Sequence, residues 1–167
     1  MVLGMSLHSF TLLHVVISIL QLGTGAIVVA ELMAGRRSGL TGFNLVITAL
    51  TSITGFLFPF HGVTPGIVLG VISMLLLVLA IVALYGRQLQ GSWRTTYAVS
   101  AVLLLYLDAF VAVVQSFQKI GPLHMRAPTG KEAPFAVAQG ALLLAFLGIG
   151  YLACRGFRRR RAVALAG

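Results

Sequence analysis

The chain has 167 residues, of which 59% are hydrophobic and only 9% are charged, and its mean hydropathy is +1.02. So few charged residues cannot cover the surface of a water-soluble domain of this length, which excludes an ordinary soluble protein. The net charge of +9 comes from short basic clusters between apolar runs, not from a basic face interleaved with aromatic residues, so we expect no nucleic-acid partner. The single cysteine, Cys154, excludes an intrachain disulfide and a CxxC redox pair.

Five apolar segments are long enough to cross a bilayer core of about 30 Å, which needs roughly 20 helical residues. We predict transmembrane helices over residues 9–34, 41–60, 65–86, 95–118 and 134–155. The first is a membrane helix and not a cleaved signal peptide, because Arg36 and Arg37 follow it instead of preceding it. The sequence therefore predicts an all-α, polytopic integral membrane protein, a five-transmembrane-helix bundle that forms a single membrane domain over residues 1–167.

The distribution of Lys and Arg predicts how this bundle is oriented. With the N-terminus outside, nine of these residues face the cytoplasm and three face the outside, as the positive-inside rule requires. We therefore predict a cytoplasmic C-terminus, a basic cytoplasmic tail over residues 156–167, and a bacterial plasma (inner) membrane location. Four arginines in this tail either bind anionic lipid head groups or, as is commoner after a last helix, only anchor the topology. They are Arg158, Arg159, Arg160 and Arg161.

Polar side chains recur along one face of several predicted helices. In the first helix they are three or four residues apart, which places them on one side of an α-helix. The candidate ligand- or ion-binding residues chosen on this basis are Asp108, His14, Gln21, Gln115, Gln139, Thr51 and Ser18. Their depths predict a polar cavity between the first, second, fourth and fifth helices that faces the outer side of the membrane.

Asp108 is the first candidate among them. A carboxylate near the bilayer centre costs at least about 2.5–3.5 kcal/mol on insertion scales, and no Lys or Arg lies within the predicted helices at its depth. One interpretation is a proton relay or a cation-binding group. The other is an interhelical hydrogen bond, worth only about 0.6 kcal/mol on average. The sequence leaves both open.

Histidine raises the question of a metal or haem. All four histidines fall on the predicted outer side, and neutral imidazole is a ligand for copper, zinc and haem iron. His14 and His61 are the metal-ligand candidates, while the alternative is that His14 only joins two helices by a hydrogen bond. Because no HxxxH or HExxH spacing occurs, the cofactor stays unknown, with haem or copper as the options.

The third predicted helix has few polar side chains and carries a ridge of small residues, Gly66, Gly70 and Ser73. Small residues four apart allow helices to pack closely in a membrane. We therefore expect this helix to face lipid or a partner. The expected partners are the lipid bilayer and either a second copy of the chain, in a homo-oligomer, or a larger membrane complex.

The sequence favours a role without catalysis, although it leaves enzymatic activity open. No Ser-His-Asp arrangement, pair of carboxylates on one helix face or glycine-rich phosphate loop can be assigned. We expect ligand or ion binding, or transport, at the polar cavity. Two alternatives remain, a haem- or metal-binding redox subunit and a non-catalytic accessory subunit of a larger membrane complex.

Overall fold

The computed structural model describes residues 2, 4–59, 62 and 64–164, with side chains as far as Phe157. Within these residues the regular structure is entirely helical, which confirms the all-α prediction. The helices are α1 (Leu7–Met33), α2 (Thr41–Phe56), α3 (Pro65–Ile81), α4 (Trp93–Lys119), the one-turn α5 (Gly121–His124) and α6 (Ala133–Ala164). The last turn of α3 continues as a π-helical segment, Val82–Gly86.

Within the described part of the chain, four helical segments are long and apolar enough to cross a membrane, and they indicate an integral membrane protein. They are Leu7–Met33, Pro65–Gly86, Trp93–Lys119 and Ala133–Phe157. The remaining long helix, α2, has 16 residues, or about 24 Å of helix at 1.5 Å per residue, which is shorter than a bilayer core of about 30 Å.

Two predicted boundaries differ from the observed ones. The second helix was predicted to reach residue 60, but α2 ends at Phe56, and the Leu57 N–H bonds to the Thr54 carbonyl in a tight last turn. Pro59 explains this end, because proline disfavours the helical conformation in the residue before it and lacks an N–H. The predicted tail over 156–167 is helical as far as Ala164, since α6 continues without a break. The side chains of its four arginines lie outside the described residues.

The long helices form a ring with one helix outside it. Helix α1 packs against α2 and α4, and α3 packs against both α2 and α4, so that these four close a ring. Helix α6 packs against α1 and α4 on the outside of this ring.

Contacts at the two ends show that successive long helices run in alternating directions. At one end, which we call the arginine end, Gly156 of α6 lies against Met33 of α1, and the Arg94 guanidinium lies 5.8 Å from the Phe157 ring centre. At the opposite end, which we call the His14 end, Phe10 packs on Phe58 with ring centres 5.0 Å apart.

The closely packed core lies toward the arginine end. Buried apolar side chains there come from all the long helices and include Leu32, Leu77, Leu84, Tyr97 and Ala153. The backbones of α1 and α6 lie close together at Gly156, where an added Cβ atom would lie 2.8 Å from the Met33 carbonyl carbon. The opposite end of the ring is less filled, and the cavity lies there.

Candidate functional site

A cavity of about 680 Å³ lies inside the ring, lined by α1, α2, α3 and α4. This volume is within the range of about 300–1,000 Å³ that is typical of small-molecule sites. Most of its wall is apolar and aliphatic, with residues such as Leu22, Leu69, Leu107 and Val111, while polar side chains are distributed along one side of α1 and α4. A mostly apolar pocket with a few placed polar groups is the usual composition of an organic ligand site.

The structure brings six of the seven candidate ligand-site residues to this cavity. They are His14, Ser18, Gln21, Thr51, Asp108 and Gln115. The seventh, Gln139, lies on α6 outside the ring, where its amide Nε2 donates to the Phe110 carbonyl oxygen at 3.3 Å. Polar residues that we had not selected, Ser52, Ser116 and Lys119, also line the cavity. Each of them lies four residues after another position on the same helix face, Thr48, Ala112 or Gln115, and this spacing was the available signal.

One wall of the cavity differs from the predicted one. We expected the last helix to line the cavity and the third helix to face lipid or a partner, but α3 lines it and α6 does not. The small-residue ridge of α3 faces inward, since Gly66, Gly70 and Ser73 all line the cavity. At Gly70, an added Cβ would lie 2.9 Å from the Phe56 ring of α2. The ridge therefore faces the inside of the bundle and packs against α2 at Gly70, which polarity alone could not indicate because glycine has no side chain.

His14 is held by a hydrogen bond between α1 and α2. Its Nδ1 lies 2.8 Å from the Thr54 hydroxyl oxygen, and that hydroxyl already donates its hydrogen to the Leu50 carbonyl oxygen at 2.7 Å. Thr54 can therefore only accept from His14, so Nδ1 carries the hydrogen. In a neutral imidazole this leaves the lone pair on Nε2. The Phe58 ring, 5.2 Å away in an edge-to-face arrangement, also packs on the imidazole.

Thr54→Val is expected to lower the free energy of unfolding by roughly 0.6–1.7 kcal/mol, the range measured for interhelical hydrogen bonds in a membrane bundle. The substitution keeps the side-chain shape and removes the acceptor of His14. Thr48→Val is the matched control, because the Thr48 hydroxyl donates to the Asn44 carbonyl of its own helix and should cost little. Unfolding titrations in mixed micelles measure both. Equal losses in the two variants would contradict this role of Thr54.

Asp108 and Gln21 each bring an unpaired oxygen to the cavity. Within the described residues, Asp108 Oδ2 and Gln21 Oε1 are buried and have no hydrogen-bond partner. The Gln21 side chain is only 6% exposed. No Lys, Arg or His forms an ion pair with Asp108 in this part of the chain. Buried polar atoms in folded proteins nearly always have a partner, so two unpaired acceptors that line one cavity call for an explanation.

Three hydroxyl groups that line the cavity donate their hydrogens to backbone carbonyls of their own helices. Ser18 donates to the His14 carbonyl at 2.9 Å, and Thr51 donates to the Ile47 carbonyl at 3.0 Å. A hydroxyl has one hydrogen and two lone pairs, so each offers only lone pairs to the cavity. The Ser116 hydroxyl is used in the same way by its own helix. These three hydroxyls therefore offer acceptors to the cavity, while the amide groups of Gln21 and Gln115 also bring donors to its wall.

A metal centre has less support from the geometry. No group of three or more His, Cys, Asp or Glu side chains stands at metal-ligand positions in the part of the chain that the structure describes. His61 lies outside the described residues, so the proposed pairing of His14 with His61, and with it haem or copper, stays a prediction.

Comparison with known proteins identifies no relative of this chain. No protein-family model matches the chain, and no curated protein or solved structure is significantly similar to it. A function for this protein therefore has to come from the chemistry of the cavity.

Proposed function

We propose that this protein binds a small organic molecule inside the membrane, in the cavity enclosed by α1 to α4. The observation that carries the proposal is the pair of buried, unpaired oxygens on Asp108 and Gln21 within a cavity of about 680 Å³. Leaving a buried acceptor unsatisfied costs about 1–3 kcal/mol. A ligand that completes these hydrogen bonds explains the two unpaired groups, and an ionisable residue within a membrane is by default a candidate functional residue.

The proposal includes the orientation of the site. We propose five membrane crossings, with the N-terminus outside and the C-terminus in the cytoplasm of a bacterial plasma membrane. Two observations support this topology. The long helices alternate in direction, and nine Lys and Arg residues would face the cytoplasm while three would face the outside. Local thinning of the bilayer accommodates the shorter α2. The His14 end is then the outer end, so a ligand reaches Asp108 from outside. Transport follows if the ligand is also released on the cytoplasmic side.

Cysteine labelling in intact cells tests this orientation. In a Cys154→Ala background, Met125→Cys and Gln90→Cys each add one thiol at an exposed position, beyond the outer end of α4 and beside the arginine end of the bundle. We expect a membrane-impermeant maleimide to label the cysteine at position 125 in intact cells. The cysteine at position 90 should react only after permeabilisation. The reverse pattern would overturn the orientation.

Native mass spectrometry of the protein released from its own membranes tests the bound ligand. We expect a non-lipid mass adduct on the wild type that is lost in Ala112→Phe, because Ala112 lines the cavity and a benzyl group fills part of it. Ala145→Phe is the control, since Ala145 is exposed on α6 outside the ring. An adduct retained equally by both variants, or no adduct on the wild type, would contradict the proposal.

The redox alternative has its own test. A haem- or copper-binding subunit shows a Soret band or near-stoichiometric metal after purification, and His14→Ala removes it. Such a result would replace the small-molecule proposal. The accessory-subunit alternative predicts a stable partner chain at fixed stoichiometry and no adduct on the isolated protein.

A further inference from the structure

The cavity interior contains one acidic group and no nearby cation. Among the described residues, Asp108 is the only Asp or Glu that lines it. The lysine that lines the cavity, Lys119, lies eleven residues further along α4, or roughly 16 Å along the helix axis at 1.5 Å per residue. Lys119 is exposed at the outer end of its helix. A charge on Asp108 is therefore not balanced by a side chain among the described residues.

Several polar groups that line the cavity together with Asp108 offer lone pairs. Gln21 Oε1 is unpaired, and the Ser18 and Thr51 hydroxyls have already used their hydrogens on backbone carbonyls. An anionic ligand would meet these lone pairs and the carboxylate, and would be repelled. A protonated amine has three donor hydrogens and no acceptor, which matches an unpaired carboxylate oxygen and an unpaired amide oxygen that line one cavity.

The size and the walls of the cavity argue against a bare metal ion. A volume of about 680 Å³ lined mainly by aliphatic side chains is far larger than one cation needs. Hard cations take six to eight oxygen ligands at short distances, and the described residues contain no cluster of three potential ligands from His, Cys, Asp and Glu. The remaining volume is suited to an apolar body.

We infer that the ligand is an organic monocation, an ammonium group that binds Asp108 joined to an apolar body that fills the space between α2, α3 and α4. This inference rests on the proposed function and specifies its ligand class. Gln21 Oε1 accepts a second ammonium hydrogen. Lys119 lies near the outer opening and slightly opposes the approach of a cation, but its exposure to water screens its charge.

Three probes with the same cage and different polar groups test the inference on the purified wild type in nanodiscs. They are 1-adamantylamine, a cation at neutral pH, 1-adamantanol, which is neutral, and 1-adamantanecarboxylate, an anion. We expect saturable calorimetric binding of the amine near one equivalent, binding of the alcohol at least about tenfold weaker, and no binding of the carboxylate, from the strength of a charged hydrogen bond.

Two variants connect this preference to the site. Asp108→Asn, nearly isosteric, should weaken amine binding to the level of the alcohol. Lys119→Gln, at an exposed position that should not affect folding, should strengthen amine binding slightly, by up to about twofold at low ionic strength, as expected when a water-exposed like charge roughly 16 Å away is removed. Because the two variants act in opposite directions, a general loss of folded protein cannot imitate the expected pattern.

Other outcomes overturn the inference. Carboxylate binding that exceeds amine binding indicates an anion site at Lys119, and equal binding of amine and alcohol indicates a neutral ligand. If none of the probes binds, the organic-cation inference fails. The mass-spectrometry result then separates the two proposals. An adduct that is lost in Ala112→Phe supports the small-molecule proposal even where the organic-cation inference has failed. An absent adduct removes both.

Discussion

Gly156→Ala is expected to destabilise the bundle by at least about 1–3 kcal/mol, the usual cost of overpacking a filled interior. An added Cβ would contact the Met33 carbonyl oxygen, and would lie 2.8 Å from the Met33 carbonyl carbon and 3.0 Å from the Leu32 carbonyl oxygen. These atoms belong to the backbone of α1. No rotamer change can therefore relieve the clash, and α1 and α6 must move apart.

Gly148→Ala is the matched control in the same helix. Nothing lies within 4 Å of a Cβ added there, so this variant keeps only the helix-propensity gain of about 1 kcal/mol that alanine has over glycine. Unfolding in mixed micelles should place Gly156→Ala below the wild type and Gly148→Ala at or above it. Equal stability of the two variants would contradict the close crossing of α1 and α6, and with it the packed core at the arginine end.

Asp108→Leu is expected to raise the free energy of unfolding by about 1–3 kcal/mol while it abolishes ligand binding. The substitution removes a buried, unpaired carboxyl oxygen, and the cost of leaving such a group unsatisfied has that magnitude. The cavity has room for the leucine side chain. A gain in stability with a loss of function is characteristic of residues that are retained for a site and not for the fold.

Ser100→Ala is the control that separates these two effects. Ser100 is 1% exposed, and its hydroxyl has no hydrogen-bond partner within the described residues, but it does not line the cavity. Its replacement should also stabilise the protein and leave ligand binding unchanged. If Asp108→Leu instead destabilises the bundle as strongly as Gly156→Ala, then Asp108 makes a structural contact, and the ligand proposal loses its main support.

Helix positions could be predicted well because they depend on hydropathy and length. The predicted first and fourth helices, 9–34 and 95–118, differ from α1 (Leu7–Met33) and α4 (Trp93–Lys119) by at most two residues at each end. The end of α2 was harder to predict from hydropathy, because the apolar run continues through Phe58. The helix itself ends at Phe56, ahead of Pro59.

The candidate site could be predicted within single helices but not between them. The spacing of polar residues along α1 and α4 places His14, Gln21 and Asp108 on the correct faces, because a helix has a fixed period of 3.6 residues. Which helices enclose those faces depends on packing, and the glycines of α3 give no polarity signal. The unpaired oxygen of Gln21 and the bond from His14 to Thr54 depend on interhelical register, which one sequence does not reveal.

A cryo-electron microscopy structure of the wild-type protein in nanodiscs, prepared from its own membranes, tests the central claim most directly. The ligand proposal predicts a non-protein feature in the cavity between α1 and α4, with an atom within hydrogen-bonding distance of the Asp108 carboxyl group and of Gln21 Oε1. A collapsed cavity in which Asp108 is paired with a side chain of its own bundle would contradict it.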